Sequence, residues 1–360
     1  MKRFGIILLT IFSFLLLIGC NDKLIVNGVE IEIYSIHTEL QNEFLSNDYN
    51  LITQYAKGDQ ELSRPNPVVL EWKDSKDLKV DGKYKVLISK DYNFGYNKVY
   101  YTETNSLNVY NLELNVIYYW KVVGTKESKI FGFRIDSLVP IRNLYIDGIT
   151  NARDIGGYPI ESGSVVKQGM IYRTSKLNDD ESTSLLVTKE GIDTLVYDLE
   201  VVAELDLRDA SKNENGGITE SPLGKSVRYI SVSMKSGGNY LTLNKETLKE
   251  VFSVLGDENN YPMVMHCSIG TDRTGVICFL INGLLGVSEQ YLYQDYLFSN
   301  FGNIYGIRTP SAIKDYLKQI KYYGADNSER VYNYLLEQGV SKDDLDNVIR
   351  IMKTERIQPE

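Results

Sequence analysis

The chain has 360 residues, 43% of them hydrophobic and 24% charged, which is typical of folded globular proteins and unlike disordered chains. This length exceeds what one compact domain usually holds, so we expect two domains. The formal net charge of −9 argues against a nucleic-acid partner. Three cysteines and two histidines are too few for a disulfide framework or a zinc cluster, so we expect no metal and no cofactor.

The first 20 residues predict an export signal. Lys2 and Arg3 precede an apolar run over residues 4–18, and Cys20 follows small and aliphatic residues. The run is shorter than the roughly 20 residues of a membrane-spanning helix, which disfavours a transmembrane anchor. A plain signal peptide is the other alternative. The pattern resembles a bacterial lipoprotein signal. That resemblance implies lipidation of Cys20 and a protein anchored at the bacterial cell membrane, facing outside the cytoplasm.

Residues 21–64 are polar, and we interpret them as a linker with an appended strand or helix. Residues 65–138 contain short alternating runs separated by turns such as Asp81-Gly82, which predicts an all-β sandwich without helices. The runs lie at 68–72, 84–88, 98–101, 106–112, 118–123 and 129–135. The early Trp72 and the run over 112–122 resemble a fibronectin type III domain. Such a module implies a spacer between membrane and enzyme, with a glycan or protein binder as the alternative.

Residues 141–357 change to strands that alternate with helical periods, which predicts an α/β domain with a helical C-terminal part. The predicted strands lie at 201–207, 227–232 and 261–265. The predicted helices lie at 188–199, 245–255, 273–285, 288–298, 311–323, 328–338 and 341–352. Asn244 is the expected N-cap of the second of these helices. Cys267 and Cys278, the latter inside a helix, are expected to be unpaired.

Residues 266–275, His-Cys-Ser-Ile-Gly-Thr-Asp-Arg-Thr-Gly, lie between a predicted strand and a predicted helix. In such a loop the backbone N–H groups turn inward and, with the helix dipole, bind a phosphate. The same groups stabilise a thiolate at Cys267, which makes it a nucleophile at neutral pH. Arg273 can bend over the loop and hold two phosphoryl oxygens with its planar guanidinium. The predicted phosphate-binding residues are Ser268, Ile269, Gly270, Thr271, Asp272 and Arg273.

This Cys-x5-Arg pattern, with its flanking histidine and Arg-Thr-Gly, resembles the protein tyrosine phosphatase superfamily. The stretches 151–158, 169–175, 204–209 and 295–300 resemble the bacterial atypical tyrosine/lipid phosphatase branch. The resemblance covers about residues 145–352. It implies that Cys267 attacks phosphorus and forms a phosphocysteine that water hydrolyses, while Arg273 binds the phosphoryl group. It further implies that Thr274 hydrogen-bonds the thiolate and that His266 orients the loop rather than exchanging protons.

The leaving oxygen needs a proton from a nearby acid. In many tyrosine phosphatases this acid lies on a Trp-Pro-Asp loop, and this sequence contains no such tripeptide. The resemblance to the atypical branch implies instead that the acid is the aspartate just before the arginine, which is Asp272. Asp209 and Asp257 are the alternative acids, and Asp272 could instead be only a carboxylate at a helix start. The branch often carries lysine where Thr271 stands, so we expect less preference for multiply phosphorylated headgroups.

Four basic residues could contact substrate at the rim of the loop, although residues of this type are more often surface charges or charges that hold the fold together: Arg153, Arg173, Lys176 and Arg208. The sequence thus predicts a cysteine-dependent phosphomonoester phosphatase. Its expected substrate is a phosphotyrosine protein or peptide, with a phosphoinositide or inositol phosphate as the alternative. A non-catalytic pseudophosphatase that binds a phosphorylated partner is the second alternative. The presence of Cys267, Asp272 and Arg273 together disfavours it, because a binding protein does not need a nucleophile.

Overall fold

The structure is a computed structural model that describes residues 23–136, 140–160 and 163–354. The predicted lipoprotein signal and Cys20 lie outside the described residues. In the described ranges, no helix has the length and apolar character needed to cross a membrane.

The strands are numbered in chain order: β1 Ile25–Val26, β2 Val29–Tyr34, β3 Val68–Glu71, β4 Lys79–Val80, β5 Lys83–Ser89, β6 Lys98–Thr102, β7 Ser106–Val109, β8 Ile117–Val123, β9 Phe131–Ile135, β10 Arg153–Asp154, β11 Ile171–Thr174, β12 Ala203–Asp206, β13 Arg228–Ser231 and β14 Met263–His266. The helices are α1 Glu39–Ser46, α2 Ile52–Tyr55, α3 Lys189–Asp193, α4 Tyr240–Leu243, α5 Leu248–Leu255, α6 Asp272–Leu284, α7 Glu289–Phe298, α8 Ser311–Ile320, α9 Asn327–Glu337 and α10 Lys342–Met352.

The N-terminal half is built from two sheets around one core, and all of their strand pairs except β2-β9 are antiparallel. The larger sheet has the order β1-β2-β9-β8-β5-β4, with β6 also paired to β5, and the pair β3-β7 forms the smaller sheet. Along β3 every second residue is buried, so Val68 and Leu70 face the core while Val69 faces solvent. Each of the six predicted runs contains a strand, and Trp72 and Trp120 pack together between the sheets. The finer resemblance to a fibronectin type III domain stays a prediction.

The segment that we interpreted as a linker with an appended strand or helix contains both a strand pair and helices, and it packs against both halves of the chain. Strand β2 lies parallel to β9 and extends the larger sheet. Phe44 and Leu45 of α1 and Ile52 of α2 are buried in the core of the C-terminal half. Residues 23–64 therefore do not act as a free linker, because their apolar side chains are part of both structures.

The C-terminal half contains a five-stranded sheet of order β10-β11-β14-β12-β13, in which all pairs except β10-β11 are parallel. All four residues of the central strand β14 are buried, as expected for a parallel strand covered on both faces. Thr174 of β11 and Asp206 of β12 both pair in register with His266 at the end of β14. The loops that follow these three strands therefore meet at one edge of the sheet, where α/β folds bind ligands.

Helices surround this sheet at nearly the predicted positions. Residues 273–284 of α6 are buried on every side, so this helix passes through the middle of the domain. Asn244 stands at the N-cap position of the helical segment that begins at Lys245, but its side chain makes no capping hydrogen bond there. Residues 245–247 form a short 3-10 turn, and the Asn244 amide donates instead to the carbonyl oxygens of Lys235 and Tyr240. It thus stabilises the preceding turn and not the helix start.

Candidate active site

The loop between β14 and α6 is held open by hydrogen bonds to its outward-facing carbonyl groups. Three donors from neighbouring segments make these bonds: Lys176 N to Ser268 O at 3.2 Å, Asn151 Nδ2 to Ile269 O at 3.0 Å and Arg173 NH2 to Gly270 O at 2.7 Å. Because the C=O and N–H of one peptide unit point in opposite directions, outward carbonyls turn the amides of the following residues toward the centre of the loop. The loop therefore has the form of an anion-binding cradle at the start of a helix.

Two glycines permit this conformation. Gly270 has φ +67°, and a Cβ there would lie 2.1 Å from the carbonyl oxygen of Thr174. Gly275 packs against the ring of Tyr296, which a Cβ would approach to 3.1 Å. Only a residue without a side chain fits at position 270, because both the backbone conformation and the close approach to β11 exclude a Cβ.

Cys267 lies at the base of the cradle and is 2% exposed. Burial, the largest single influence, would raise the pKa of its thiol, but the Arg273 charge and the hydroxyl and amide of Thr274 together outweigh it and lower that pKa. The Thr274 hydroxyl is buried and makes no other hydrogen bond to the described residues, so its proton is available to the thiolate. Cys267 and Cys278 are both free, as predicted.

Arg273 bends back over the cradle, as the sequence predicted. Its NH2 donates to Ser268 Oγ at 3.0 Å, and its NH1 donates to Met234 O at 3.2 Å and to Glu214 Oε2 at 2.5 Å. Glu214 therefore fixes one end of the guanidinium and leaves its other edge beside the loop. Burial opposes the Arg273 charge, yet Cys267 and Glu214 raise the pKa of this guanidinium above its usual range.

His266 is fully buried behind the cradle. Its Nε2 donates to Glu204 Oε1 at 2.9 Å, and its Nδ1 lies 3.3 Å from the carbonyl oxygen of Cys267. Burial would lower the pKa of His266, but Asp206 and Glu204 raise it above its ordinary value. This position fits the predicted orienting role, because the ring contacts the backbone of Cys267 and is shielded from solvent.

Glu204, Asp206 and His266 offer ligand atoms within 4.8 Å of one another, a spacing that could suit a metal ion. Their oxygens are already used within the protein. Ser221 Oγ donates to Glu204 at 2.5 Å, and Arg208 NH2 donates to Asp206 Oδ2 at 2.7 Å. These contacts give the three groups protein partners, so the cluster is better described as a buried hydrogen-bond network.

The candidate acid Asp272 begins α6 next to Arg273. Both of its oxygens accept from Arg308, at 2.9 Å each, and Oδ1 also accepts from Tyr296 OH at 3.0 Å. Arg308 was not singled out by the sequence. Arg308 and Tyr296 therefore fix the Asp272 carboxyl group at the mouth of the cradle.

The two alternative acids differ in position. Asp209 follows β12 at the same edge of the sheet as the cradle, and its Oδ1 accepts from the amide and the hydroxyl of Ser211. The bond from the Ser211 hydroxyl is the main reason that the pKa of Asp209 lies below its usual range, which suits an acceptor better than an acid. Asp257 precedes β14 and pairs with Arg228 at 3.8 Å, so it lies at the opposite edge of the sheet and the suggestion that it is an acid is wrong.

Three of the four predicted rim residues are not at the rim. Arg153, Arg173 and Arg208 are fully buried. Arg153 and Arg173 both pair with Asp295, at 2.9 and 2.5 Å, which brings the stretches 151–158, 169–175 and 295–300 into contact in the fold. The rim prediction is wrong for these arginines, because each is needed to neutralise a buried carboxylate. Lys176 stays beside the cradle, partly exposed and paired with Asp180.

Sequence reasoning missed four residues that shape the site: Asn151, Glu214, Asp295 and Arg308. Asn151 and Asp295 stood within the recognised stretches without an assigned role. Glu214 and Arg308 lie in polar loops, where one sequence offers no signal to separate them from surface charges.

Known proteins match the same part of the chain. The tyrosine phosphatase family matches residues 144–352, more than half of the chain. A protein of Cupriavidus necator named "Putative tyrosine-protein phosphatase" is 24% identical over 186 residues, which is 45% of this chain and 64% of that protein. "Putative tyrosine-protein phosphatase OCA1" of Meyerozyma guilliermondii is 38% identical over 55 residues, or 14% of this chain and 30% of that protein. The chain thus spans less than two thirds of the length of either relative.

Among solved structures, the core catalytic domain of the PP-IP phosphatase SIW14 from S. cerevisiae, crystallised with citrate, is 19% identical, with a TM-score of 0.29. The match covers 46% of this chain and 89% of that domain. The family match spans the cradle, its supporting arginines and the C-terminal helices, and the chain belongs to the tyrosine phosphatase family.

Proposed function

We propose that the protein is a cysteine-dependent phosphatase of phosphomonoesters that works through a phosphocysteine intermediate. The observation that carries this proposal is the cradle itself. Its carbonyl groups are held outward, its amides face inward, and Cys267 lies at its base with a lowered pKa beneath Arg273. This arrangement stabilises both a thiolate and the phosphoryl oxygens that gain charge during transfer.

In the first step, the Cys267 sulfur bonds to phosphorus while the ester P–O bond breaks, and Asp272 gives its proton to the leaving oxygen. In the second step, water attacks phosphorus, its proton passes to Asp272, and the S–P bond breaks. Arg273 and the loop amides bind the phosphoryl oxygens throughout. The Thr274 hydroxyl donates to the sulfur as it leaves, and His266 keeps the loop backbone in place.

The substrate that we favour is phosphotyrosine in a protein or peptide. The family supports it, and so does Tyr240, an aromatic residue near enough to Asp272 and Cys267 for their charges to raise the pKa of its hydroxyl, after burial as the main cause. A phosphoinositide or inositol phosphate is the second candidate. The observation that favours it is Arg308, a cation at the mouth of the cradle that offsets the missing lysine at Thr271.

The test is turnover of p-nitrophenyl phosphate by the full chain in the presence of EDTA. We expect product release that Cys267→Ser abolishes and that Cys278→Ser leaves intact, because Cys278 lies inside α6 away from the cradle. Full activity in Cys267→Ser would refute the mechanism, as would a requirement for added metal.

Asp272→Asn should slow turnover of a substrate with a poor leaving group far more than turnover of p-nitrophenyl phosphate. Equal losses on both would shift the acid to Asp209.

We further propose that Cys20 is lipidated and anchors the protein at the outer side of the bacterial cell membrane, with the β-sandwich as a spacer. The sequence pattern before Cys20 supports this proposal. In a bacterial host, the full chain should sediment with membranes and incorporate labelled palmitate, and Cys20→Ala should remove the label. Label that persists in Cys20→Ala would refute the anchor.

A further inference from the structure

Arg308 occupies an unusual position for a residue in a polar loop. It lies between the short turn at residues 299–301 and α8, and its backbone N–H donates to Asn300 Oδ1 at 2.8 Å. Its guanidinium makes a two-point contact with Asp272, Nε to Oδ1 and NH2 to Oδ2, both at 2.9 Å. The third nitrogen, NH1, donates to the carbonyl oxygen of Gly306 at 3.1 Å.

This contact conflicts with the role of Asp272 as an acid. A carboxylic acid must carry a proton on one oxygen before it can protonate a leaving group. Here both oxygens accept from the cationic guanidinium, and one also accepts from Tyr296 OH. While both oxygens accept from the guanidinium, neither is turned with a proton toward a leaving group, so this contact must open before Asp272 can act as an acid.

An anion on the substrate is the group best suited to open it. Arg153, Arg173 and Arg208 are fully buried behind the loop, and Arg273 is engaged with Glu214 above it. The Arg308 and Asp272 side chains are instead 23% and 14% exposed at the mouth of the site. The planar guanidinium that now holds one carboxylate in two-point contact can hold another carboxylate or a phosphate in the same way.

We propose that Arg308 is a specificity-determining residue that binds a second anionic group next to the scissile phosphomonoester and, by doing so, releases Asp272 to act as the acid. The inference rests on the proposed phosphatase function and deepens it. When Arg308 moves to the substrate anion, Asp272 loses its cationic partner and takes a proton from solvent. That proton then goes to the leaving oxygen as the S–P bond forms and the P–O bond breaks. The second anion can be a flanking carboxylate of a phosphopeptide or another phosphate on a polyphosphorylated ring.

The experiment compares matched substrates that differ only in the second anion. One pair is a phosphotyrosine peptide flanked by glutamate and the same peptide flanked by glutamine; the other is an inositol bisphosphate and the corresponding monophosphate. The full chain should prefer the anionic member of at least one pair by about tenfold in kcat/KM. Arg308→Gln should bring that ratio close to one, and Arg308→Lys should leave an intermediate ratio. Arg350→Gln, which removes an exposed pair with Glu258, is the matched control and should keep the original ratio.

The rate with a substrate that lacks a second anion separates this role from a merely structural one. With phenyl phosphate, which has a poor leaving group and no second anion, Arg308→Gln should raise kcat, because Asp272 is no longer held in the two-point contact and can reach the leaving oxygen. A structural defect would instead lower kcat. Circular dichroism of each variant checks the fold.

Each result has one meaning. A preference in the peptide pair alone identifies a flanking carboxylate as the anion, and a preference in the inositol pair alone identifies a second phosphate. An unchanged ratio in folded Arg308→Gln, or the same rates for both members of each pair with the full chain, would overturn this inference while leaving the phosphatase function intact. No turnover of p-nitrophenyl phosphate by the full chain would overturn the proposed function and this inference with it.

Discussion

At the scale of single residues, the chemistry of the site depends on opposing influences on one sulfur atom. Burial favours the neutral thiol of Cys267, while the Arg273 charge and the two Thr274 donors favour the thiolate and outweigh burial. Cys278 shows what burial does without those groups, because burial raises its pKa to about 12. The two cysteines lie only eleven residues apart, so the difference is due to the loop and not to the general environment.

Alkylation of the full chain by iodoacetamide should therefore distinguish the two cysteines. The rate at Cys267 should reach half of its maximum below about pH 8.5, the value of an ordinary thiol, and Cys278 should stay unmodified. Arg273→Ala should move the Cys267 midpoint to higher pH, because it removes the charge that stabilises the thiolate. Peptide mass spectrometry measures each cysteine separately. A Cys267 midpoint above pH 8.5 in the unmodified chain would contradict this account.

Glu214 provides a second prediction at this scale. Since its carboxylate fixes NH1 of Arg273, Glu214→Gln should let the guanidinium leave its position and lower kcat/KM for p-nitrophenyl phosphate by about tenfold, or ~1.4 kcal/mol. Glu220→Gln, an exposed position in the same loop region, should have no effect. Steady-state kinetics of both variants checks this, and equal rates for the two would show that Arg273 does not need its partner.

At the scale of elements, the cradle is a short loop whose shape is imposed from outside. Strand β11 contributes Arg173, and the segment before β10 contributes Asn151; each binds a different carbonyl group of the loop. Asp295 of α7 in turn fixes Arg173. The loop thus inherits its geometry from three elements that are far apart in the sequence, which keeps its amides in position without a bound ligand.

Gly270→Ala tests this dependence on the surrounding elements. The new Cβ would meet Thr174 O at 2.1 Å, so the loop must move away from β11, and we expect at least a hundredfold loss of kcat/KM together with a destabilisation of about 1–3 kcal/mol. Gly82→Ala is the matched control, because Gly82 also has positive φ, at +80°, but nothing lies within 4 Å. It should cost a similar strain and leave activity intact. Urea unfolding and steady-state kinetics measure the two effects, and normal activity in Gly270→Ala would show that the loop tolerates displacement.

At the scale of the whole molecule, the two halves are joined by shared structure. The Arg142 guanidinium donates to Asn111 O and Leu112 O of the sandwich and to Asp154 of the phosphatase half. A cavity of about 480 Å³ lies at this junction, lined by tyrosines from both sides. The N-terminal segment crosses the junction as well, since β2 belongs to the sandwich sheet and α1 to the phosphatase core.

Phe44→Ala tests whether α1 is part of the phosphatase core. Phe44 is fully buried and packs against Phe301, so its truncation should lower the free energy of unfolding by about 3–5 kcal/mol. Leu40→Ala, on the exposed side of the same helix, should change it by less than about 0.5 kcal/mol. The urea dependence of phosphatase activity reports on this half, whereas fluorescence of Trp72 and Trp120 reports on the sandwich. Equal effects of the two substitutions would mean that α1 is not docked.

Much of this architecture is readable from local patterns. Alternating runs locate the strands of the sandwich, and the 3.6-residue period locates the C-terminal helices. The sequence over 266–275 contains the cysteine, the arginine and the glycine of the cradle within one short segment. These features are readable because the residues that cooperate are neighbours in the chain. The α/β fold of the second half follows for the same reason.

Other features depend on contacts between distant segments. The chain alone could not show that Arg153, Arg173 and Arg208 are buried supports and not rim residues, because a buried arginine differs from an exposed one only in its carboxylate partner. Nor could it bring Arg308 to Asp272 across 36 positions. The type and order of the reactive groups are fixed by the local sequence, whereas folding decides which charges neutralise one another, since electrostatic pairing depends on distance in space.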